Sequence, residues 1–95
     1  MIFDSDIVIY AAKPEHAALR AGMPRRPKVS GASIPEVLGY AKLTADDLGH
    51  FEAFFRAAEV LPVGEDVLWR AAELRRQKKM SLGDSIIAAT ALLFG

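Results

Sequence analysis

The chain opens on an apolar run, Met1, Ile2 and Phe3, interrupted by Asp4-Ser5-Asp6 and resumed at Ile7, Val8, Ile9 and Tyr10. A run without alternation is the pattern of a strand buried on both faces, as in a parallel sheet covered by helices. It predicts a short first strand ending in paired acids. In extended chain, positions two apart share a face, so Asp4 and Asp6 would stand together at the strand's carboxyl end, where ligands of such sheets bind. The other assignment makes Asp6 the N-cap of a short helix through Tyr10 or Ala11, with Asp4 a solvated strand end.

Further along, the period switches repeatedly. Pro14-Glu15 suits the first turn of a helix running to about Ala21, which Gly22 ends, and Met23 to Pro27 reads as a loop. Lys28-Val29-Ser30 is a second short strand. A helix starting at Ser33 carries the stripe Ile34, Val37, Leu38 and Ala41. Thr44-Ala45-Asp46-Asp47 is a capping box opening a helix that buries Leu48, Phe51, Phe55 and Ala58. Val60-Leu61-Pro62-Val63 gives a third strand. The helix from Asp66 to Lys79 turns Val67, Ala71 and Leu74 inward and Trp69 outward. Ser81-Leu82-Gly83-Asp84 caps a last helix, Ser85 to Phe94, which is apolar all round and therefore expected to be buried. This order predicts an α/β fold, three α/β/α layers around a short parallel sheet.

Ninety-five residues make one small domain, and 52% hydrophobic with 25% charged residues is the balance of a folded globular chain. The lack of cysteine excludes disulfides and thiolate zinc sites. A strand beginning at Met1 leaves no place for a signal peptide, and Ser85 to Gly95 is too short to span a bilayer. A soluble, cytoplasmic protein without a membrane role is expected. Net charge is zero, which argues against a general nucleic-acid coat, but the cations are sorted into two runs: Arg20, Arg25, Arg26 and Lys28, then Arg70, Arg75, Arg76, Lys78 and Lys79. Such runs are either solvated faces or phosphate contacts.

Two more acids stand at predicted helix starts. Glu36 follows Ser33 by three residues and Asp84 follows Ser81 by three, so each is the N3 member of an S-x-x-E or S-x-x-D box, a role worth only ~0.5–1 kcal/mol. Helices that follow strands begin at the sheet's carboxyl edge, toward which Asp4 and Asp6 already point. Four carboxylates meeting there would repel one another, and a divalent cation would offset the repulsion. With no Cys, and with His16 and His50 on outer helices, hard oxygen ligands select Mg²⁺ or Mn²⁺.

Three motifs then carry a family resemblance. Asp4-Ser5-Asp6-Ile7-Val8-Ile9-Tyr10, Ser30-x-x-Ser33-x-x-Glu36-Val37 and Gly83-Asp84-Ser85-Ile86-Ile87-Ala88-Ala89-Thr90-Ala91 resemble the successive motifs of PIN-domain ribonucleases, in particular VapC-type toxins. The resemblance spans the chain and implies a metal-dependent endoribonuclease toxin, a homodimer, neutralised by a small antitoxin protein. Asp4, Glu36 and Asp84 map onto that family's acidic metal pocket. Asp6 occupies a position often neutral in relatives and joins Ser5, Ser30 and Ser33 as candidates for orienting the ligands. Relatives continue past the last helix into a strand carrying T-x-N or T-x-D, which would pair with the first strand. This chain stops at Gly95, so a single PIN-like domain over 1–95, truncated at its C-terminus with the last strand absent, is expected.

The chemistry so implied is hydrolysis of RNA phosphodiester bonds, with Asp4 and Asp84 on the metal, Glu36 on metal or water, and Arg25, Arg26, Lys28, Arg75, Arg76, Lys78 and Lys79 along the RNA backbone. Two other readings remain open. D-x-D after an apolar strand also opens the haloacid dehalogenase phosphatases, but their pattern wants Gly-Thr where Ile7-Val8 stand. A PIN-like remnant that binds RNA or antitoxin without cutting would also account for a pocket one ligand short.

Overall fold

The computed structural model describes residues 1–95, the side chain of Pro14 excepted. Three short parallel strands, β1 (Ile2–Phe3), β2 (Lys28–Ser30) and β3 (Glu59–Leu61), form one sheet in that order. Phe3 pairs with Val29, Val29 with Val60 and Ser30 with Leu61. The connections are helical. α1 (Ser5–Ala12), a 3₁₀ turn Pro14–His16 and α2 (Ala17–Ala21) link β1 to β2. α3 (Ser33–Leu38) and α4 (Ala45–Ala57) link β2 to β3, and α5 (Glu65–Gln77) and α6 (Leu82–Phe94) complete the chain. The predicted α/β layering is thus the observed one.

Alternation along β2 divides the core. Val29 belongs to a cluster with Val8 and Ala12 of α1, Val37 of α3, and Phe51 and Phe55 of α4. Ser30 points to the other face, as the residue after Val29 in a pleated strand must, and there its Oγ meets the Thr90 hydroxyl of α6 at 3.0 Å. On that side Val67, Ala71 and Ala89 join α5 to α6. Both Ser30 and Thr90 are fully buried. The same Thr90 hydroxyl reaches Ile86 O at 2.7 Å, and Ser30 Oγ accepts from Ala32 N–H at 3.2 Å, so no polar atom of the pair is left without a partner.

Several expectations need correction. The apolar run Ile7–Tyr10 is helix, because Asp4 is an N-cap whose side chain accepts from Ile7 N–H at 2.9 Å. The buried residues of α1, Val8, Ala11 and Ala12, have helical spacing. Asp4 caps this helix, not Asp6, which stands exposed in its first turn, so the two acids do not share one face of an extended segment. The Ser33 box does not form: the N-cap of α3 is Ala32, without a side-chain bond. That helix stops at Gly39, leaving Ala41 outside it and exposed. Leu48 is exposed, β3 begins and ends earlier than Val60–Val63, and α6 is not covered all round, since Leu82 and Leu92 are 60% and 59% exposed.

The other caps form as their sequence demands. Thr44 Oγ1 accepts from Asp47 N–H and Ser81 Oγ from Asp84 N–H, both at 3.1 Å. Trp69 is exposed, its indole N–H donating to Glu65 Oε1 one turn earlier at 3.1 Å.

Candidate active site

The carboxyl ends of the strands release the chain at Asp4 after β1 and at Gly31 after β2, and the site is assembled from the helices that begin beyond them. Glu36, in α3, is its centre. The Ser5 hydroxyl, at the start of α1, donates to Glu36 Oε1 at 2.7 Å and shares a 3.2 Å hydrogen bond with Ser33 Oγ. Ser33 is buried, and its hydroxyl is used in this contact instead of a cap. The other oxygen of Glu36 lies against Gly83 in the first turn of α6: a Cβ built on Gly83 would overlap Oε2 and stand 2.6 Å from Cδ. Glu36 therefore touches the residue just after Asp4 and the residue just before Asp84. Its carboxylate faces the positive end of α6, where the first N–H groups lack intrahelical acceptors.

Asp4, Glu36 and Asp84 are exposed, and none is paired with a basic side chain among the described residues. Their donors are all oxygen, which in kind suits Mg²⁺ or Mn²⁺. They do not converge, however: among the described residues no group of three His, Cys, Asp or Glu side chains stands close enough to hold a metal ion. Asp4 has one oxygen engaged on the Ile7 N–H. The structure thus brings Asp4, Ser5, Ser33, Glu36 and Asp84 to one edge, leaves Asp6 on the outside of α1, and places Ser30 in the buried pair with Thr90.

The basic residues divide between the two ends of the sheet. Arg75 and Arg76 occupy the last turn of α5, and Lys78 and Lys79, all four exposed, lead into the cap of Asp84. Arg25 lines a different cavity of ≈ 380 Å³ with Arg20, Met23, Pro27 and Phe54, at the edge where β2 and β3 begin. Exposed Arg26 and half-buried Lys28 flank Pro27 at that same entry to β2. Gly83, quoted in the third motif but given no role there, is the position that makes room for Glu36. Its signal was present: a glycine in the first turn of a helix whose other residues are mostly strong helix formers or apolar.

With this geometry in view, the comparisons are specific. The family model described as PIN domain matches residues 1–95. The chain is a PIN domain. Its fold is shared with a chain of a solved toxin-antitoxin complex from Klebsiella pneumoniae, at TM-score 0.74 and 26% identity over 97% of this chain and 78% of that one. Comparison with curated protein sequences gives no match. PIN domains are generally nucleases and typically use divalent metals, so phosphodiester hydrolysis is the chemistry against which this PIN domain's acidic edge is to be judged. No helix among the described residues is long and apolar enough to cross a membrane.

Proposed function

We propose that this PIN domain is the toxin of a toxin-antitoxin pair, an endoribonuclease that uses Mg²⁺ or Mn²⁺ on Asp4, Glu36 and Asp84 and is neutralised by a small antitoxin protein. The observation that carries the reading is the placement of Glu36, held by Ser5 on one side and admitted by Gly83 on the other, so that three acids without basic partners share one edge. The family match supports the nuclease, and the shared fold with a chain of a toxin-antitoxin complex supports the partner. A divalent cation, when bound, supplies polarisation of a phosphoryl oxygen and a bound water of lowered pKa.

The chain's own residues do the positioning. Ser5 fixes Oε1 of Glu36, and Gly83, having no side chain, leaves room for Oε2 beside the first turn of α6. Asp4 keeps the turn into α1 rigid with one oxygen and presents the other. Lys78 and Lys79, with Arg75 and Arg76, hold the RNA backbone on the α6 side by charge. A homodimer belongs to the same proposal; sedimentation showing only monomer at every concentration would remove that part.

A second reading has an observation of its own. Three acids that do not converge on a point favour a PIN domain that binds RNA or antitoxin without cleaving. Incubating the 95-residue chain and its Asp84→Asn variant with single-stranded RNA, with Mg²⁺, with Mn²⁺ and with chelator, separates the two. Cleavage that needs the cation and disappears in the variant is expected. RNA bound but left intact under every condition would select the second reading, and cleavage unaffected by chelator would sink the metal assignment.

A further inference from the structure

Beside Glu36 the structure opens a cleft of ≈ 290 Å³ between α1, α3 and α4. Its floor is apolar, made by the buried Val37 and Phe51 with half-buried Leu43. Its rim is not. Lys13, Asp47 and Glu36 stand around it, and Tyr40, 60% exposed, closes one side. Tyr40 comes directly after the Gly39 cap of α3, and its carbonyl accepts from Leu43 N–H at 3.2 Å, so its backbone is fixed while its ring lies open. A large aromatic ring held at a rim, over an apolar floor and next to one cation and two carboxylates, offers what a single-stranded nucleotide needs: bases stack on aromatic faces, a cation takes the backbone and carboxylates accept from base edges. The cleft's volume lies near the lower end of small-molecule sites, enough for one planar ring system and too little for a packed helix.

We propose that this cleft receives one nucleobase of single-stranded RNA beside the scissile phosphate, stacked on Tyr40, with Lys13 on the adjoining phosphate and Asp47 accepting from the base. A carboxylate can only accept, so Asp47 set against the exocyclic position favours adenine and cytosine, which carry an amino group there, over uracil, which presents a carbonyl oxygen there. The proposal rests on the nuclease reading above and adds to it a specificity the acidic edge alone does not have.

The test measures binding of labelled oligo(A), oligo(C) and oligo(U) to the 95-residue chain by fluorescence anisotropy, without divalent ion so that nothing is cut, and then cleavage of the same RNAs with Mg²⁺. Oligo(A) and oligo(C) are expected to bind and be cut in preference to oligo(U). Tyr40→Ala should weaken binding ~10-fold or more, while Tyr40→Phe stays near wild type. Asp47→Asn, whose amide can donate to a uracil carbonyl, should erase the discrimination against oligo(U). Lys13→Ala should weaken all three alike and flatten the salt dependence. Cleavage that depends on Asp84 but ignores Tyr40 and Asp47 overturns the cleft and leaves the nuclease standing. A Tyr40→Ala variant that loses only a protein partner gives the cleft to that partner and also overturns the proposal. Failure of the wild type to bind any of the RNAs brings down both readings.

Discussion

Replacing Gly83 by alanine adds one methyl group where the Glu36 carboxylate now lies. The new Cβ would overlap Oε2 and stand 2.6 Å from Cδ and 3.3 Å from Oε1, so one partner must move. Gly83 is held in a 13-residue helix, whereas Glu36 is an exposed side chain, and the side chain should yield by a change of rotamer. That forfeits the Ser5 hydrogen bond, worth about 1 kcal/mol at an exposed position, and ~0.3–1 kcal/mol of attraction to the helix terminus. Alanine returns up to ~1 kcal/mol of helix propensity, less in a first turn than in a helix interior. The net change in stability should fall within about 1 kcal/mol, a shift of at most ~8 °C in melting temperature for a chain of this size. Activity should instead fall to the level of Glu36→Gln, because the carboxylate has left its place. Thermal melts and RNA cleavage on Gly83→Ala, Glu36→Ala and the double variant check both halves. In the Glu36→Ala background nothing remains to be displaced, and Gly83→Ala should become stabilising. A loss of more than ~2 kcal/mol in that background would mean that the backbone of α6 resists the methyl group and that the Glu36 contact is not its reason.

Asp4→Asn should abolish cleavage with little loss of stability, since asparagine caps helices as well as aspartate does, while Asp4→Ala should cost a further ~1 kcal/mol in chemical denaturation. Mg²⁺ or Mn²⁺ should raise the melting temperature of wild type, because an ion bound only by the folded chain stabilises it by mass action; an equal rise in the Asp4→Asn, Glu36→Gln, Asp84→Asn variant would refute the site. Thr90→Val should cost about 1 kcal/mol in urea melts, the worth of the buried Thr90–Ser30 hydrogen bond, since Ser30 Oγ keeps its bond from Ala32 N–H.

What the sequence made legible was whatever local pattern decides. Thr44 and Ser81 cap their helices because the acceptor, the N–H and the spacing all lie within one helical turn. Val67 and Ala71 lie inside because a long, strongly amphipathic segment has one way to turn. The first strand was read as ending in the paired acids, because a short apolar stretch reads alike as buried strand and as helix. Asp4 settles it through a single bond to Ile7 N–H, and nothing in the pattern distinguished Asp4 from Asp6 as the cap. Ser33 was misread for a different reason. Its hydroxyl is taken by Ser5, 28 residues away in sequence, a competition that no local rule registers. The acids were legible as residue types by motif, but the seating of Glu36 between Ser5 and Gly83 belongs to tertiary contact, as does the apolar side of α6 that stays uncovered.

The buried hydroxyl pair of Ser30 and Thr90 has a bearing on aim. A helix packed by alanine and isoleucine against a sheet can slide or roll with little change in apolar contact, since small side chains offer few steps to catch on. A hydroxyl pair sealed from water resists such drift, because a displacement large enough to part the oxygens forfeits their hydrogen bond, about 1 kcal/mol, where no water can replace it. Thr90 lies six residues beyond Asp84 on the same helix, about 9 Å along its axis at 1.5 Å per residue. The position and bearing of Asp84 are thus indexed to the sheet by a contact no substrate would touch, much as a rifle is sighted by a pin set well behind its muzzle.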